Sequence, residues 1–282
     1  MRLGLLGVWS PGLRDRDSVR VADAAAELEE LGYGTLWFPA GRDRGFEIGA
    51  ALLAATRSVT VATGILSVWN TSAEEARAGF ADLERVAPGR FLMGIGISHA
   101  PIVDRGAPNR YTRPIETMSA YLSALDDVPR ERRIIGALGP RMLALATRTS
   151  LGTHPYLITA ENTAKIRAEI GPDPVVAPEL GVVLETDPDR ARGIAREHLS
   201  TYLVLPNYVN NWLRTGFTPD DVEHGGSDRL VDALIAWGSP DQVAARIQEH
   251  RAAGADHVCV QVLGGEAPLP LPQWRALAAA AT

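Results

Sequence analysis

The regular alternation of short apolar runs with helical patterns constrains the fold of this 282-residue chain more than any other feature. Residues 18–31, for example, place Val21, Ala24 and Leu28 on one helical face and are followed by Gly32, a typical helix stop. A comparable helical segment follows each apolar run. The eight predicted strands are residues 3–8, 35–38, 59–66, 91–96, 133–138, 154–158, 179–184 and 257–263.

Eight such units predict one (β/α)8 barrel, the TIM-barrel architecture, because regular alternation implies parallel strands joined by right-handed crossovers. We therefore treat residues 1–282 as a single domain. The alternative is an open, doubly wound sheet with an appended helical region. The seventh unit is oversized, since residues 204–253 hold additional helical patterns, and this predicts a helical insertion near that unit.

Charge and composition exclude several classes of partner. The net charge is −6, without long runs of one sign, which argues against nucleic-acid and anionic-membrane surfaces. No apolar stretch reaches the ~18 residues that a membrane span needs. Cys259 is the only cysteine, so the chain can form neither an intramolecular disulfide nor a cysteine metal cluster. We expect a cytoplasmic protein whose partner is a small molecule.

The stretch GRFLMGIGISH, residues 89–99, ends the fourth predicted strand, and a barrel builds its active site at such strand ends. Gly94 and Gly96 do not belong to a dinucleotide fingerprint, because His99 stands where G-x-G-x-x-G needs its third glycine. Two interpretations remain open. The glycines either let neighbouring strands pack closely, or they let a planar ligand approach the backbone.

His99 is the candidate catalytic residue, because histidine is the usual acid or base near neutral pH and this one directly follows a strand. A histidine that only forms hydrogen bonds at the barrel mouth is the alternative. His154 is compatible with either a ligand contact or a barrel-layer position. His198 and His250 are predicted on helix surfaces.

GALGPRML, residues 136–143, suggests an anion site at the start of a helix. Gly139 ends the turn, Pro140 occupies the first helical position, and Arg141 adds a full positive charge to the free N–H groups and the helix dipole. An ordinary strand–helix turn is the alternative. The sequence has no HExxH, no aspartate cluster at predicted strand ends and no G-x-S-x-G, so we expect neither a metal site nor a serine-hydrolase triad.

The segments ELGYGTLWF, VATGIL, PGRFLMGIG, GPRMLALA and SPDQVAARIQEHRAAGADHVCVQVL, taken in this order, resemble the luciferase-like monooxygenase superfamily. Within it the chain is most similar to the actinobacterial branch of oxidoreductases that use the deazaflavin coenzyme F420. The resemblance covers nearly the whole chain. It implies a (β/α)8 barrel, usually as a homodimer, that binds a flavin or deazaflavin.

The resemblance also assigns site residues. It implies a cis peptide bond at Gly64–Ile65 that bulges against the cofactor ring, with Gly96 and Ser98 beside it. It implies a cofactor phosphate near Gly139, Pro140 and Arg141. Some members carry a glutamate acid/base after the G-x-G, and here that position is His99.

Three functions follow from the residues and the resemblance together. The first is a coenzyme F420-dependent oxidoreductase that transfers a hydride between the deazaflavin and a small organic substrate. The second is an FMN-dependent luciferase-like monooxygenase. The third is a barrel that binds flavin without turnover. Residues 98–110 and 205–217 are expected to form the lid of the pocket, with Tyr208, Asn210, Asn211 and Trp212 favouring neutral or moderately polar substrates.

Overall fold

Strands and helices alternate along the chain in the computed structural model, which describes residues 1–15, 17–105, 108–265 and 267–281. Within these ranges the strands are Leu6–Trp9 (β1), Thr35–Phe38 (β2), Thr60–Thr63 (β3), Leu66–Ser67 (β4), Phe91–Gly96 (β5), Arg133–Ile135 (β6), Gly152–Thr153 (β7), Val175–Val176 (β8), Glu179–Val183 (β9), Ile235–Trp237 (β10) and Val258–Val262 (β11).

The α-helices of the same ranges follow the strands on the outside of the sheet. They are Ser18–Glu30 (α1), Gly45–Ala55 (α2), Ala73–Val86 (α3), Ala100–Val103 (α4), Pro114–Ser123 (α5), Pro140–Thr149 (α6), Ala160–Ile170 (α7), Pro188–Ser200 (α8), Pro206–Thr215 (α9), Pro219–Val222 (α10), Asp228–Leu234 (α11), Pro240–Ala252 (α12) and Leu271–Ala281 (α13). Short 3₁₀ turns cover Pro11–Arg14 and Arg130–Arg132. No helix of these ranges is both long and apolar enough to cross a membrane.

All strand pairs are parallel, and the sheet is curled. Its order is β10-β9-β11-β1-β2-β3-β5-β6-β7-β8, with β4 paired to β5 beside this path. From β1 to β8 the strands lie side by side in chain order, and the last strand, β11, pairs with β1. The run from β1 to β8 contains no reversal of strand order of the kind that marks the switch point of a doubly wound sheet.

Strands β8 and β9 are two parts of one extended segment, residues 175–183. On one side, the Ala177 amide donates to the Thr153 carbonyl at 2.9 Å. On the other side, the Asp256 amide donates to the Val176 carbonyl at 2.9 Å, and β9 pairs with β11. The segment therefore bridges β7 and β11, which stand far apart in the linear strand order.

Most predicted elements are confirmed to within a few residues. Helix α3 starts with a capping box, in which the Ser72 side chain accepts from the Glu75 amide and Glu75 accepts from the Ser72 amide. Such reciprocal bonds satisfy free N–H groups at a helix start. The long strand predicted over residues 59–66 is divided into β3 and β4.

Two predicted elements are wrong. The strand expected at residues 154–158 is the shorter β7, which ends at Thr153, two residues before Pro155, and proline cannot donate to a strand ladder. Residues 235–237 lie within the region 204–253 that was expected to be helical, but the helix before them ends at Leu234 and Ile235–Trp237 form β10. These three residues form a strand because they pair with β9 at the edge of the sheet. This pairing involves residues distant in sequence, so the local hydrophobic pattern does not predict it.

The core has three parts. The largest lies between the sheet and the outer helices and includes Val8, Leu36 and Phe91. A small one fills the inside of the curl, with Trp37 and Cys259 fully buried. The third packs α8, α9 and α11 over the carboxyl ends of the strands; its buried members are Leu157, Val183, Ala191, Ala195, Leu199, Leu205, Tyr208, Trp212, Leu230, Val231, Leu234, Ile235 and Leu263.

Candidate active site

A cavity of about 790 Å³ opens at the carboxyl ends of the strands. This is the size range of small-molecule and cofactor sites. Its lining comes from the ends of β1, β3, β5, β6 and β7 and from helices α5 and α9. Its lining includes Trp9, Gly64, Ile65, Gly96, Ser98, His99, Gly139, Pro140, Arg141, His154, Tyr156, Tyr202, Tyr208, Asn210 and Arg214.

Gly64 and Ile65 form the wall of the cavity between β3 and β4. Their peptide bond is cis, as the resemblance implies. The Trp9 indole Nε1 donates to the Gly64 carbonyl at 2.7 Å. A Cβ on Gly64 would lie 2.5 Å from Trp9 Nε1, so glycine is the residue that allows this approach.

At Gly94 and Gly96, neighbouring residues already occupy the space that a side chain would fill. A Cβ on Gly94 would overlap the Thr63 carbonyl oxygen, and a Cβ on Gly96 would overlap Ile65 Cδ1. A Cβ on Gly136, which follows the next strand, β6, would lie 2.9 Å from the same Ile65 atom. Of the two interpretations left open by the sequence, close packing between strands therefore explains why these positions are glycine. The Gly96 backbone still lines the cavity.

His99 and Ser98 follow β5 and face the same space. Ser98 has a positive φ of 60°, which turns the chain sharply into α4. The His99 Nδ1 atom is buried without a hydrogen-bond partner, and its ring centroid lies 5.0 Å from that of Tyr208. Burial lowers the pKa of His99 to about 4, so the imidazole is neutral at pH 7.

The start of α6 carries positive charge toward the cavity. Gly139 is the N-cap and no side chain caps this helix, while Pro140 follows at the first position. Arg141 is exposed in the first turn and makes no ion pair with any described residue. A Cβ on Gly139 would meet nothing within 4 Å, so the space beside this helix start is open.

A second arginine joins this helix start from α9. Arg214 donates to the Leu138 carbonyl at 2.9 Å and to Asn211 Oδ1 at 2.6 Å, and it too has no carboxylate partner in the described ranges. Sequence reasoning did not select Arg214, because it is far from Gly139 in the chain. The turn therefore presents two cations without local counter-charge, which suits an anionic group.

His154 lies below the cavity and is almost fully buried. Its ring stacks on Trp37 at a centroid distance of 4.2 Å, and its Nδ1 lies 2.7 Å from the Ala177 carbonyl. Since a carbonyl only accepts, Nδ1 carries the proton and Nε2 is an acceptor. Burial lowers the pKa of His154 to about 4. His154 thus packs in the interior of the curled sheet and also lines the cavity.

Three tyrosines form the opposite wall. The Tyr202 hydroxyl donates to the Tyr156 hydroxyl at 3.1 Å, and Tyr156 donates to Gln261 Oε1 at 2.7 Å. His198 Nε2 lies 3.2 Å from the same Tyr156 oxygen, so the prediction of a surface position for His198 is wrong. The Tyr208 hydroxyl has no hydrogen-bond partner in the described chain.

Glu179 is a fully buried carboxyl group close to this tyrosine wall. Neither of its oxygens makes a hydrogen bond of normal geometry to a described residue. Burial raises the pKa of Glu179 to about 8, opposed by the nearby Leu157 backbone amide. The group is therefore protonated at neutral pH.

Two further histidines are structural. His250, predicted on a surface, is fully buried and its Nδ1 lies 2.9 Å from Thr163 Oγ1. His257 accepts from Trp37 Nε1 at 3.0 Å. Among the described residues no group of three or more His, Cys, Asp or Glu side chains could hold a metal ion.

The eight residues selected from sequence all line this one cavity: Gly64, Ile65, Gly96, Ser98, His99, Gly139, Pro140 and Arg141. Both predicted lid segments contribute to it, although residues 106 and 107 of the first lie outside the described residues. Asn210 and Tyr208 line the cavity, whereas Asn211 and Trp212 are buried behind it. Arg214, Tyr156 and Tyr202 were missed, and only Tyr156 had a local signal, since it follows β7.

Comparisons with known proteins show the family and the fold of this chain. The family model described as luciferase-like monooxygenase matches residues 7–134 and 120–257. A 5,10-methylenetetrahydromethanopterin reductase from Archaeoglobus fulgidus is 22% identical over 257 residues, which cover 72% of this chain and 76% of that protein.

Solved structures show the same fold at low identity. An F420-dependent secondary alcohol dehydrogenase in complex with an F420-acetone adduct has a TM-score of 0.73 and 13% identity, covering 100% of both chains. The F420-dependent tetrahydromethanopterin reductase from Methanopyrus kandleri has a TM-score of 0.72 and 14% identity, covering 99% and 98%. A type II Baeyer-Villiger monooxygenase from Pseudomonas putida, in complex with FMN, has a TM-score of 0.68 and 15% identity, covering 98% and 96%.

Proposed function

Because the chain belongs to the luciferase-like monooxygenase family, we propose that it is an oxidoreductase that uses coenzyme F420 to reduce or oxidise a small organic substrate. The family membership supports an enzyme of redox chemistry. The F420-dependent relatives in sequence and in structure support the deazaflavin as the cofactor.

One observation carries the proposal: a single cavity combines an uncharged wall with an uncompensated cationic turn. Gly64 and Ile65 offer an uncharged surface, while Arg141 and Arg214 lie at the start of α6. A ligand with an uncharged planar ring and an anionic side chain matches both parts. Coenzyme F420 and FMN both have this chemistry, so the residues present fit the cofactor.

In the proposed assignment, Gly139, Pro140 and Arg141 bind the anionic chain of the cofactor, and Arg214 assists them. Gly64, Ile65, Gly96 and Ser98 bound its ring. When bound, the deazaflavin supplies hydride chemistry, and the protein supplies orientation and electrostatics. Because the cavity holds no carboxylate among its described lining residues, an anionic chain meets no repulsion there.

His99 is assigned to the substrate. Its imidazole lines the cavity, and we assign this ring to hydrogen-bond a substrate atom next to the cofactor ring. With a pKa of about 4, the neutral imidazole acts as a hydrogen-bonding group or as a base, not as a cationic acid.

The deciding experiment is a side-by-side titration of the purified protein with oxidised F420 and oxidised FMN, followed by absorbance and by protein fluorescence. We expect saturable F420 binding that is at least about tenfold tighter than FMN binding, equivalent to about 1.4 kcal/mol. Tight FMN binding without F420 binding would reject the proposal.

An FMN-dependent monooxygenase is the second candidate. The FMN complex of the structurally similar Baeyer-Villiger enzyme favours it. Oxygen consumption coupled to reduced FMN separates it from the first candidate, since a deazaflavin oxidoreductase is expected to consume none.

We also propose that the curled sheet closes as a (β/α)8 barrel within one domain of residues 1–282. The bridging segment 175–183, bonded to β7 and to β11, supports eight closed strand positions, with α9–α11 and β10 as the insertion. We propose a homodimer from the family resemblance, and analytical ultracentrifugation tests it by the mass in solution.

A further inference from the structure

We propose that the tyrosine wall, defined as Tyr156, Tyr202 and Tyr208 together with His99, binds an uncharged aromatic substrate through its ring and through one carbonyl oxygen. The carbonyl accepts a hydrogen bond from the Tyr208 hydroxyl. This inference rests on the proposed function, because it names the substrate class of the same cavity.

The tyrosine wall carries no formal charge at neutral pH. Burial raises the pKa of Tyr156 and Tyr208 well above 10 and lowers those of His99, His154 and His198 to about 4. No Asp, Glu or Lys appears among the described lining residues. A charged substrate group at this wall would lose hydration without gaining a counter-charge, so the wall selects against it.

The aromatic rings of the tyrosine wall contact one another in a cluster. Tyr202 and Tyr208 meet edge to face at a centroid distance of 5.1 Å, and Tyr156 meets Tyr208 in the same manner at 6.2 Å. His99 adds a fourth ring at 5.0 Å from Tyr208. A further aromatic ring can make the same edge-to-face contacts with these side chains, at centroid distances of about 4.5–7 Å.

Among the three tyrosine hydroxyls of the wall, that of Tyr208 remains free to donate to a ligand. The Tyr202 and Tyr156 hydroxyl hydrogens are already used, in bonds to Tyr156 and Gln261. The Tyr208 hydroxyl has no partner in the described chain although its ring is buried. A carbonyl oxygen satisfies this donor, and a hydrocarbon does not.

Helix α9 contributes to both the tyrosine wall and the cationic turn. Tyr208 and Arg214 belong to the same helix, Pro206–Thr215, and are six positions apart. At 1.5 Å per residue they are roughly 9 Å apart along the axis. The helix thus places the uncharged wall at one end of the cavity and the cationic turn at the other, which leaves the wall for the second reactant.

Three probes test the proposal in ligand-observed NMR titrations of the purified full chain: acetophenone, 4-acetylbenzoate and ethylbenzene. Acetophenone is expected to bind at least about tenfold tighter than its carboxylated counterpart. Tyr208→Phe is expected to weaken acetophenone binding by about threefold to tenfold and to leave ethylbenzene, which has no oxygen, within about twofold.

Tyr121→Phe is the matched control, because its hydroxyl contacts Ser72 and it does not line the cavity. Circular dichroism melting checks that both variants fold. Equal affinity for acetophenone and 4-acetylbenzoate overturns the proposal. The proposal is also overturned if Tyr208→Phe weakens the binding of acetophenone and ethylbenzene equally, because the hydroxyl then has only a structural role.

Repeating the titrations with oxidised F420 present separates the two proposals. If F420 binds and acetophenone binds in neither condition, the substrate class is wrong and the proposed cofactor stands. If acetophenone shows the expected pattern and F420 does not bind, the ligand class is supported and the proposed function is wrong.

Discussion

The Trp9 indole donates a 2.7 Å hydrogen bond to the carbonyl oxygen of Gly64, which joins the end of the first strand to the end of the third. The two residues are 55 positions apart in the sequence. This contact fixes the orientation of the carbonyl and sets the indole beside the apolar wall of the cavity.

Replacing Trp9 by Phe tests this contact, because the variant keeps a ring and removes the donor. We expect the free energy of unfolding to fall by about 1–3 kcal/mol, since the Gly64 carbonyl loses its partner. Urea unfolding measures this, and the F420 titration reports whether the wall still fits the ring. Unchanged stability together with unchanged F420 affinity would contradict the role given to the contact.

Gly94→Ala should destabilise the fold, because its Cβ would overlap the Thr63 carbonyl oxygen in the neighbouring strand. Overpacking of this kind costs about 1–3 kcal/mol. Gly193→Ala is the matched control: Gly193 lies within α8 and a Cβ there meets nothing within 4 Å. In the Gly193→Ala variant the free energy of unfolding should rise by about 0.5–1 kcal/mol, because alanine favours the helix more than glycine does. Equal melting temperatures for the two variants would refute the packing explanation.

Arg214→Ala and Arg141→Ala should each weaken F420 binding by about tenfold to a hundredfold, because a charge-assisted hydrogen bond contributes about 1.5–3 kcal/mol. The affinity of the wild type should also fall as salt is raised. Arg148→Ala, in the last turn of α6, is the control and should bind F420 normally. Loss of binding in the control to the same extent would indicate a nonspecific charge effect.

His99→Phe should keep the packing against Tyr208 while it removes the hydrogen-bonding nitrogens. We expect the rate of reduced F420 oxidation with an aromatic ketone to fall at least about tenfold, with F420 affinity unchanged. Stopped-flow absorbance measures the rate, and His224→Phe, at an exposed side chain, is the control. Unchanged turnover with intact cofactor binding would end the catalytic assignment.

Glu179 should make stability depend on pH with a definite sign. Burial raises its folded pKa to about 8 from the ordinary 4.5, so the unfolded chain releases this proton first as pH rises. The contribution of Glu179 is therefore fully present below about pH 4.5 and is lost between pH 4.5 and 8.

Glu179→Gln removes this titration. The variant should gain stability relative to the wild type as pH rises from 5 to 8, by an amount on the order of a few kcal/mol. Urea unfolding at several pH values measures the difference. A difference that is constant across this range would show that Glu179 does not carry the buried proton.

The sequence by itself determined the strand and helix order and much of the cavity. Apolar runs and amphipathic segments are local patterns, and strand ends gather at one edge of any curled parallel sheet. His99 and Gly139–Arg141 could be selected for this reason alone, since each directly follows a strand. The Ser72 capping box is another local signal, and it occurs as the spacing indicates.

Only the tertiary structure decided which side chains complete the cavity and what the glycines do. Arg214 joins the α6 turn from another helix, and Glu179 loses its charge because it is surrounded on all sides. Gly94 and Gly96 are glycines because Thr63 and Ile65 occupy the space beside them. The physical reason is common to these cases: burial, close approach and pKa depend on atoms that are distant in sequence, which no local pattern records.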